Sequence, residues 1–221
     1  MNIADIDTSA VKGFLDREEA LCLHRVAQMA GKKGNCLEIG SYCGKSAVYI
    51  GLACRENGAK LYSIDHHRGS AEQQLGEAYY DPELYDAAQC CINTLPHFLT
   101  TLESFSLVDS VIPIVGDSVS VAKSWNEALA LVFIDGGHSF ADTYNDYNAW
   151  ACCVMPGGYL AIHDIFATAT EGGQSPRWIL QAALASGLFL LVEQVKTLAI
   201  LQRTPLGIVP EAMLMRFQDF A

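Results

Sequence analysis

Residues 35–50 read NCLEIGSYCGKSAVYI, and this stretch decides the fold. An apolar run ends at Glu38-Ile39-Gly40, and a helical pattern begins after Gly44. In parallel α/β sheets a glycine turn of this kind joins the carboxyl end of a strand to a helix N-terminus, where cofactors bind. The stretch therefore predicts a strand, a cofactor loop and a helix in succession.

The rest of the chain repeats this alternation. Apolar runs bounded by Gly, Asn or Asp alternate with helical stretches, which is typical of a mostly parallel sheet covered on both faces. The predicted strands cover residues 35–40, 60–65, 111–115, 130–135 and 159–164, with Pro156-Gly157-Gly158 as a turn before the last. The predicted helices cover residues 17–30, 45–56, 83–105, 140–152 and 175–186, the third interrupted at Pro96. These patterns predict a doubly wound α/β fold.

Two features mark the borders of the predicted sheet. Pro113 lies in the strand at 111–115, and proline favours an edge strand because it lacks a backbone N–H donor. Apolar runs at 189–195 and 198–203 are separated by only Lys196-Thr197, which predicts an antiparallel hairpin. We therefore expect one edge at residues 111–115 and a closing antiparallel pair.

Length and composition limit the organisation and the partners. A chain of 221 residues with 51% hydrophobic residues suits one domain, divided into a helical cap at 1–34, a core at 35–204 and a tail at 205–221. The tail could pack on the core or on a second copy, as in a homodimer. A net charge of −11 without a dense Lys or Arg run argues against nucleic acid as a partner. Without a membrane-spanning stretch or a signal-peptide pattern, we expect a cytoplasmic protein that does not bind membranes.

Cysteine spacing argues against a structural metal site. The eight cysteines include the adjacent pairs Cys90-Cys91 and Cys152-Cys153 but no CxxC spacing. A structural zinc site needs paired spacings of the CxxC kind. We therefore expect reduced thiols.

Three chemistries compete for the glycine loop, and spacing separates them. Gly40 and Gly44 enclose three residues, one too few for a Walker phosphate loop. A nicotinamide site needs a second glycine where Tyr42 stands, so that the backbone can approach a pyrophosphate. A cofactor without phosphate suits Glu38, whose carboxylate can interact with an ammonium group. We favour a methyl donor, and the alternatives are a nicotinamide oxidoreductase and a noncatalytic binding module.

A second acidic residue supports the cofactor site. Asp65 ends the next predicted strand, 21 residues beyond Gly44. In dinucleotide folds an acid at about this separation reaches the ribose hydroxyls. The loop and Asp65 therefore predict one cofactor site between them.

Five segments together resemble a known family. They are CLEIGSYCGKSAVYI at 36–50, YSIDHH at 62–67, VGDS at 115–118, FIDGGHSFADTYNDYNAW at 133–150 and MPGGYLAIHDIF at 155–166. In order and spacing they resemble class I S-adenosylmethionine-dependent methyltransferases of family 24. The resemblance implies a Rossmann-like, three-layer α/β/α fold with a seven-stranded, mostly parallel sheet and an antiparallel last strand. This chain departs from the family pattern at Tyr42, where the loop of family members often has a glycine between the two outer glycines.

The resemblance also implies which residues contact S-adenosylmethionine. Glu38, Gly40, Ser41 and Gly44 would line its methionine end, Asp65 its ribose with His66 beside it, and Asp117-Ser118 its adenine. The full expected set is Glu38, Gly40, Ser41, Tyr42, Gly44, Ser46, Asp65, His66, Asp117, Ser118 and Asp135. For Asp117 the alternative is a cap on the helix that starts near Ser118.

Acidic residues follow two predicted strands that we expect to be neighbours. Asp135 ends one strand and His163-Asp164 end the other, so the strand ends would lie about 5 Å apart and the carboxylates would converge. Converging carboxylates are unfavourable without a cation, and oxygen ligands suit Mg²⁺ whereas an imidazole favours a transition metal. We predict a divalent cation at Asp135, His163 and Asp164. The alternative makes Asp164 a helix cap and Asp135 a cofactor contact.

The corresponding positions in similar catechol-type methyltransferases carry metal-binding acids and a basic lysine. Here those positions are Asp135, His163, Asp164 and, in place of the lysine, His138. His138 has an ordinary pKa of about 6.5, which suits removal of the acceptor proton, although a backbone contact is the alternative role. The predicted catalytic residues are therefore His138, Asp135, His163 and Asp164, acting in metal-assisted O-methylation of a small molecule. Loops at 66–82 and 165–174 are expected to cover that substrate.

Overall fold

Seven strands form one twisted sheet in the computed structural model, which describes residues 3–205. The strands are β1 (Cys36–Ile39), β2 (Leu61–Asp65), β3 (Val111–Val115), β4 (Leu129–Ile134), β5 (Val154–Ile162), β6 (Phe189–Val195) and β7 (Leu198–Arg203). Their spatial order is β3-β2-β1-β4-β5-β7-β6. The first five strands run parallel, and β7 is antiparallel to both of its neighbours. This confirms the predicted sheet, including its antiparallel last strand.

Within the described part of the chain, six α-helices cover the two faces of the sheet. They are α1 (Arg17–Gly31), α2 (Lys45–Asn57), α3 (Leu95–Ser104), α4 (Ser118–Ala122), α5 (Phe140–Trp150) and α6 (Ser175–Ala185). Alternate side chains of β4 serve the two faces: Leu131 and Phe133 pack with α1 and α2, whereas Val132 and Ile134 pack with α5 and α6. Both faces of β4 are buried, which explains its continuous apolar run. The three-layer arrangement is confirmed.

The edges of the sheet also agree with the sequence. Strand β3, which contains Pro113, pairs only with β2 and forms one edge. An edge strand needs hydrogen bonds on one side only, so the missing N–H of Pro113 is tolerated there. The hairpin β6–β7 turns at Lys196-Thr197 as predicted.

Two local predictions were wrong. Residues 83–94 do not extend a helix: a 3₁₀ turn at Pro82–Leu84 is followed by a short antiparallel pair, Tyr85–Asp86 with Cys91–Ile92. Helix α3 begins only at Leu95 and has Pro96 in its first turn. Proline suits this position because N–H groups in the first turn make no hydrogen bond within the helix, so its missing N–H costs nothing. Residues 156–158 do not form a turn before the strand but belong to β5. The pairing of β5 with β4 is irregular there, and Gly157 accommodates the irregularity with a positive φ of 74°.

Other expectations concern the whole chain. All eight cysteines are free thiols, as predicted. Among residues 3–205, no helix combines the length and the apolar character that a membrane crossing requires. The predicted packing role of the tail falls on residues 206–221, which lie outside the described residues. The division of the chain into cap, core and tail stays a prediction.

Candidate active site

A cavity of about 760 Å³ opens at the carboxyl edge of the parallel strands. Its wall comes from the segments that follow β1 to β5, together with residues 13–16 before α1. This size falls within the usual range for small-molecule sites, and such sites lie where parallel strands end. The cavity is therefore the candidate active site.

The glycine loop forms one wall because β1 and β4 end very close together. Gly40 has a φ of 88°, and a Cβ there would lie 2.1 Å from the Asp135 carbonyl oxygen. Only glycine fits this approach. Tyr42, also at a positive φ, donates its backbone N–H to Asp65 Oδ2 at 2.8 Å. The loop is thereby tied to the end of β2.

Ser41 is the residue of the loop that most clearly awaits a ligand. It lines the cavity and is 2% exposed, yet its Oγ finds no hydrogen-bond partner among residues 3–205. Buried hydroxyls almost always have a partner, since an unpaired one is costly. Ser41 therefore offers a hydroxyl that can form a hydrogen bond with a molecule bound in the cavity.

Glu38, which was expected to line the methionine end of the cofactor, lies beneath the loop and is not part of the cavity wall. It is fully buried and accepts hydrogen bonds from Ser63 Oγ at 2.5 Å and Ser46 Oγ at 2.8 Å. Burial raises its pKa to about 7, although both serine hydrogen bonds favour the ionised form. Gly44 also lies behind the wall, where it is the N-cap residue of α2 in a left-handed conformation. Both residues support the loop, whereas Ser46 itself reaches the cavity.

Asp65 has two structural partners as well as a place on the wall. Besides Tyr42, the His67 backbone N–H donates to its Oδ1 at 2.7 Å. His66 lies beside it on the same wall, with its Nδ1 3.9 Å from Asp65 Oδ1. Asp65 therefore shapes the loops that follow β1 and β2.

Asp117 and Ser118 lie on the wall beyond β3. Asp117 caps α4 by accepting the Ser120 N–H at 2.8 Å, so its alternative role as a helix cap is confirmed. Ser118 Oγ donates to Asp146 on α5. Burial raises the pKa of Asp146 to about 6, against the effect of this hydrogen bond.

His163 bridges two carboxylates at the reacting end. Strands β4 and β5 are neighbours as predicted, and His163 Nδ1 lies 2.9 Å from Asp135 Oδ1. Its Nε2 lies 3.0 Å from Glu19 Oε2. Burial disfavours the charged imidazole, but these carboxylates outweigh it and raise the pKa of His163 to about 11. His163 is therefore a buried cation held between two anions.

Glu19 is a site residue that the sequence does not reveal. It stands in the first turn of α1, where it forms a capping box with Asp16, and is 2% exposed. It also accepts hydrogen bonds from the Thr197 N–H at 2.8 Å and the Thr197 hydroxyl at 2.7 Å. The spacing from Asp16 to Glu19 signals only a helix start, so nothing in it points to the strand ends.

His138 joins the same edge from the loop after β4. Its Nε2 lies 2.8 Å from Asp164 Oδ2 and its Nδ1 3.2 Å from Glu72 Oε2. The hydrogen bond with Asp164 raises the pKa of His138 to about 9, although burial works in the opposite direction. The ordinary pKa assumed for a general base is thus wrong for this arrangement, in which His138 carries its proton at neutral pH.

A possible cation-binding group is present, with one change from the predicted set. Asp135, His138 and Asp164 can each place one ligand atom within 4.8 Å of the others. His163, which was expected in this group, is only 5% exposed and bridges Asp135 and Glu19. His138 stands in the group instead, and its side chain is 35% exposed on the cavity wall.

The segment before α1 and the long loop after β2 form the outer wall of the cavity. A covering role was predicted from the sequence for the loop but not for the segment before α1. Lys12 Nζ lies 2.5 Å from Asp81 Oδ2 and 2.6 Å from Glu83 Oε2. The Phe14 ring contacts the Tyr79 ring, with centroids 5.4 Å apart. Residues 69–73 of the predicted covering loop line the cavity, as do Phe166 and residues 171–173 of the second one.

Comparisons with known proteins show the family and the fold. Residues 37–165 match the model of a methyltransferase domain family, family 24. The fold is similar to the O-methyltransferase TomG from Streptomyces achromogenes, involved in tomaymycin synthesis and solved with S-adenosylmethionine: TM-score 0.60, 13% identity, 87% of this chain and 82% of that one. It is also similar to an O-methyltransferase from Bacillus cereus in complex with S-adenosylhomocysteine: TM-score 0.62, 14% identity, 89% and 86% covered. The S-adenosylhomocysteine-bound methyltransferase PaMTH1 from Podospora anserina is also similar: TM-score 0.61, 15% identity, with 87% of this chain and 80% of that one covered.

Proposed function

The chain belongs to this methyltransferase domain family, and we propose that it transfers a methyl group from S-adenosylmethionine to an oxygen atom of a small molecule. One observation carries the proposal. A single cavity joins the glycine loop, with its unpartnered Ser41 hydroxyl, to the cluster of Asp135, His138 and Asp164. The loop provides a place for the donor and the cluster a place for the acceptor.

The residues present fit the methyl donor. The buried Ser41 hydroxyl lacks a partner, Asp65 and His66 form the next part of the wall, and Asp117-Ser118 the part beyond. The proteins from Streptomyces achromogenes and Bacillus cereus hold this donor and its demethylated product, which supports the same cofactor here. When bound, S-adenosylmethionine supplies an electrophilic methyl group on a sulfonium sulfur.

The protein's own residues would align the acceptor and manage its proton. Methyl transfer needs an acceptor lone pair directed at the methyl group and removal of the acceptor proton. At neutral pH His138 keeps its proton beside Asp164, so it cannot accept another until that one leaves. Asp135, which His163 holds in place, faces the same part of the cavity.

The side chains of Asp135, His138 and Asp164 also fit a divalent cation. Two carboxylates and one imidazole are suitable ligands, and the imidazole must be neutral to coordinate. A cation at Asp135, His138 and Asp164 would polarise an acceptor hydroxyl and favour its ionised form. This replaces the predicted set of Asp135, His163 and Asp164.

Titration calorimetry tests the cofactor. We expect S-adenosylhomocysteine to bind, and Ser41→Ala to weaken binding by about threefold to tenfold, the usual effect of one hydrogen bond. Ser104→Ala, on the exposed end of α3, is the matched control and should bind normally. Tight binding of NADH without binding of S-adenosylhomocysteine would favour the nicotinamide alternative. Cofactor binding without methyl transfer to any acceptor in a broad panel would favour a noncatalytic module.

Metal removal tests the cation. We expect divalent cations to stimulate turnover, and Asp135→Asn and Asp164→Asn to abolish that stimulation, because each loses a charged ligand. Full activity in the presence of a chelator contradicts this part of the proposal. A cytoplasmic location and a homodimer remain predictions from the sequence.

A further inference from the structure

Carboxylates dominate the reacting end of the cavity. Six acids line the wall around the ends of β4 and β5, the start of α1 and the loops that face them: Asp16, Glu19, Glu72, Asp135, Asp164 and Glu171. Three cations lie among them: His138, His163 and Lys196. Acids therefore outnumber cations two to one at this end.

Each of these cations is already engaged. His163 lies between Asp135 and Glu19, and His138 between Asp164 and Glu72. Lys196 Nζ lies 2.7 Å from Asp16 Oδ2. The remaining lysine on the wall, Lys45, donates to the Gly13 carbonyl oxygen at 2.9 Å. Within residues 3–205, an anionic acceptor would thus find no uncommitted lysine or histidine at this end.

Two acids keep negative charge near the opening. Glu171 is exposed and accepts the Ala167 N–H at 3.1 Å and the Thr168 N–H at 3.3 Å. Glu72 is partly exposed, and its carboxylate lies 3.2 Å from His138 Nδ1, on a side chain whose charge Asp164 also shares. A divalent cation at Asp135, His138 and Asp164 would leave both carboxylates in place.

Aromatic rings point to the same type of ligand. Phe14, Tyr42, Tyr79 and Phe166 all line the cavity. Phe14 is 67% exposed and Tyr79 52% exposed, so both offer accessible ring surface. Ring faces attract cations. Accessible ring faces in the same cavity therefore favour a cationic group.

We propose that this cavity selects methyl acceptors that carry a protonated amine and disfavours acceptors that carry a carboxylate, a phosphate or a coenzyme A group. The inference rests on the proposed function and names its substrate class. A carboxylate-lined cleft with apolar walls concentrates its field, which raises the association rate of cations and lowers that of anions. Burial of an unpaired anion beside carboxylates is unfavourable.

Three acceptors that share one ring test the proposal: 3,4-dihydroxyphenylethylamine, 3,4-dihydroxyphenylethanol and 3,4-dihydroxyphenylacetate. We expect kcat/KM to fall in that order, with about tenfold or more between amine and acid at low salt. Higher salt should narrow the ratio, since it screens exposed charges. Equal or faster methylation of the acid would overturn the inference.

Charge variants locate the effect. Glu171→Gln and Glu72→Gln should each lower the amine-to-acid ratio, and Glu171→Lys should lower it further. Glu103→Gln, an exposed acid on α3 that does not line the cavity, is the control and should leave the ratio unchanged. A ratio that is insensitive to Glu171 and Glu72 also contradicts the inference.

Binding separates this inference from the proposed function. Titration of the same three compounds into enzyme saturated with S-adenosylhomocysteine reports selectivity even without turnover. Preferential amine binding without methyl transfer would support the inference and count against the proposed function. Methyl transfer to the alcohol together with preferential binding of the acid would support the proposed function and contradict the inference.

Discussion

At the scale of single residues, the site is built from buried charges whose partners are far away in the chain. His163 is 5% exposed and lies between Asp135 and Glu19, which is 144 positions away. Although burial raises the pKa of Glu19, His163 and Thr197 outweigh it and lower the value to about 2. Neither carboxylate would be tolerated in this place without the imidazolium.

Removal of that imidazolium should therefore be costly. We expect His163→Leu to lower the free energy of unfolding by about 3–5 kcal/mol, because it leaves the Asp135 and Glu19 carboxylates buried without their cation. Urea denaturation measures the change. His66→Leu, at an exposed histidine of the same cavity, should change stability by no more than about 0.5 kcal/mol. An unfolding free energy equal to that of the unchanged protein would show that the pair contributes nothing.

Glu38 predicts a specific pH dependence. Burial raises its pKa from 4.5 to about 7, so the folded protein binds the proton more tightly than the unfolded chain does. Between these two values the unfolded state binds fewer protons, and the free energy of unfolding falls as the pH rises. The loss from this group should be complete slightly above pH 7.

The comparison with Glu38→Gln isolates this effect, since the other acids titrate in both proteins. We expect the variant to gain stability relative to the unchanged protein between pH 5 and pH 7.5, measured by urea denaturation at both values. The same pH slope in both proteins would mean that Glu38 has an ordinary pKa when folded. Glu127→Gln, at the opposite end of the sheet, is a suitable control.

At the scale of elements, the outer wall of the cavity depends on contacts between two loops. The segment before α1 is joined to the loop after β2 by Lys12, which pairs with Asp81 and Glu83. Phe14 and Tyr79 add an aromatic contact between the same segments. These partners are close in space only because both segments cross the same edge of the sheet.

Lys12→Met should loosen this wall without unfolding the protein. We expect KM for the methyl acceptor to rise severalfold with a smaller change in kcat, because closure over the ligand becomes less favourable. The free energy of unfolding should change by less than about 1 kcal/mol, as is usual for partly exposed ion pairs. Lys32→Met, exposed at the end of α1, is the control for steady-state kinetics. An unchanged KM would show that the ion pairs do not hold the wall.

At the scale of the whole molecule, the ligand should stabilise the fold that forms its cavity. The wall draws on segments from residue 13 to residue 197, so a bound molecule joins elements across most of the described chain. S-adenosylhomocysteine at 100 times its Kd should add about 2.7 kcal/mol to the free energy of unfolding. For a protein of this size that corresponds to a Tm increase of about 5–10 °C, measurable by calorimetry. NADH at equal concentration should give no shift, and the opposite pattern would refute the choice of cofactor.

What the sequence determines by itself is local. Apolar periodicity and the positions of Gly and Pro were enough to predict the strands, most helices, the edge position of Pro113 and the cofactor loop, because each depends on neighbouring residues. Asp135, His163 and Asp164 could be assigned to one edge, since parallel neighbours end on the same side. The short pair around residues 85–92 was missed because helical spacing there is overridden by tertiary packing.

Only the tertiary structure decided which of these side chains meet. Glu19 lies against the second nitrogen of His163, and the side chains that can share a cation are those of Asp135, His138 and Asp164. Two serines hold Glu38 beneath the loop by hydrogen bonds. No local pattern encodes these contacts, because they join positions brought together by the packing of α1 and α2 against the sheet and by the pairing of its strands. Each arises because a buried charge or polar group must find a partner, and folding alone determines which partner lies within reach.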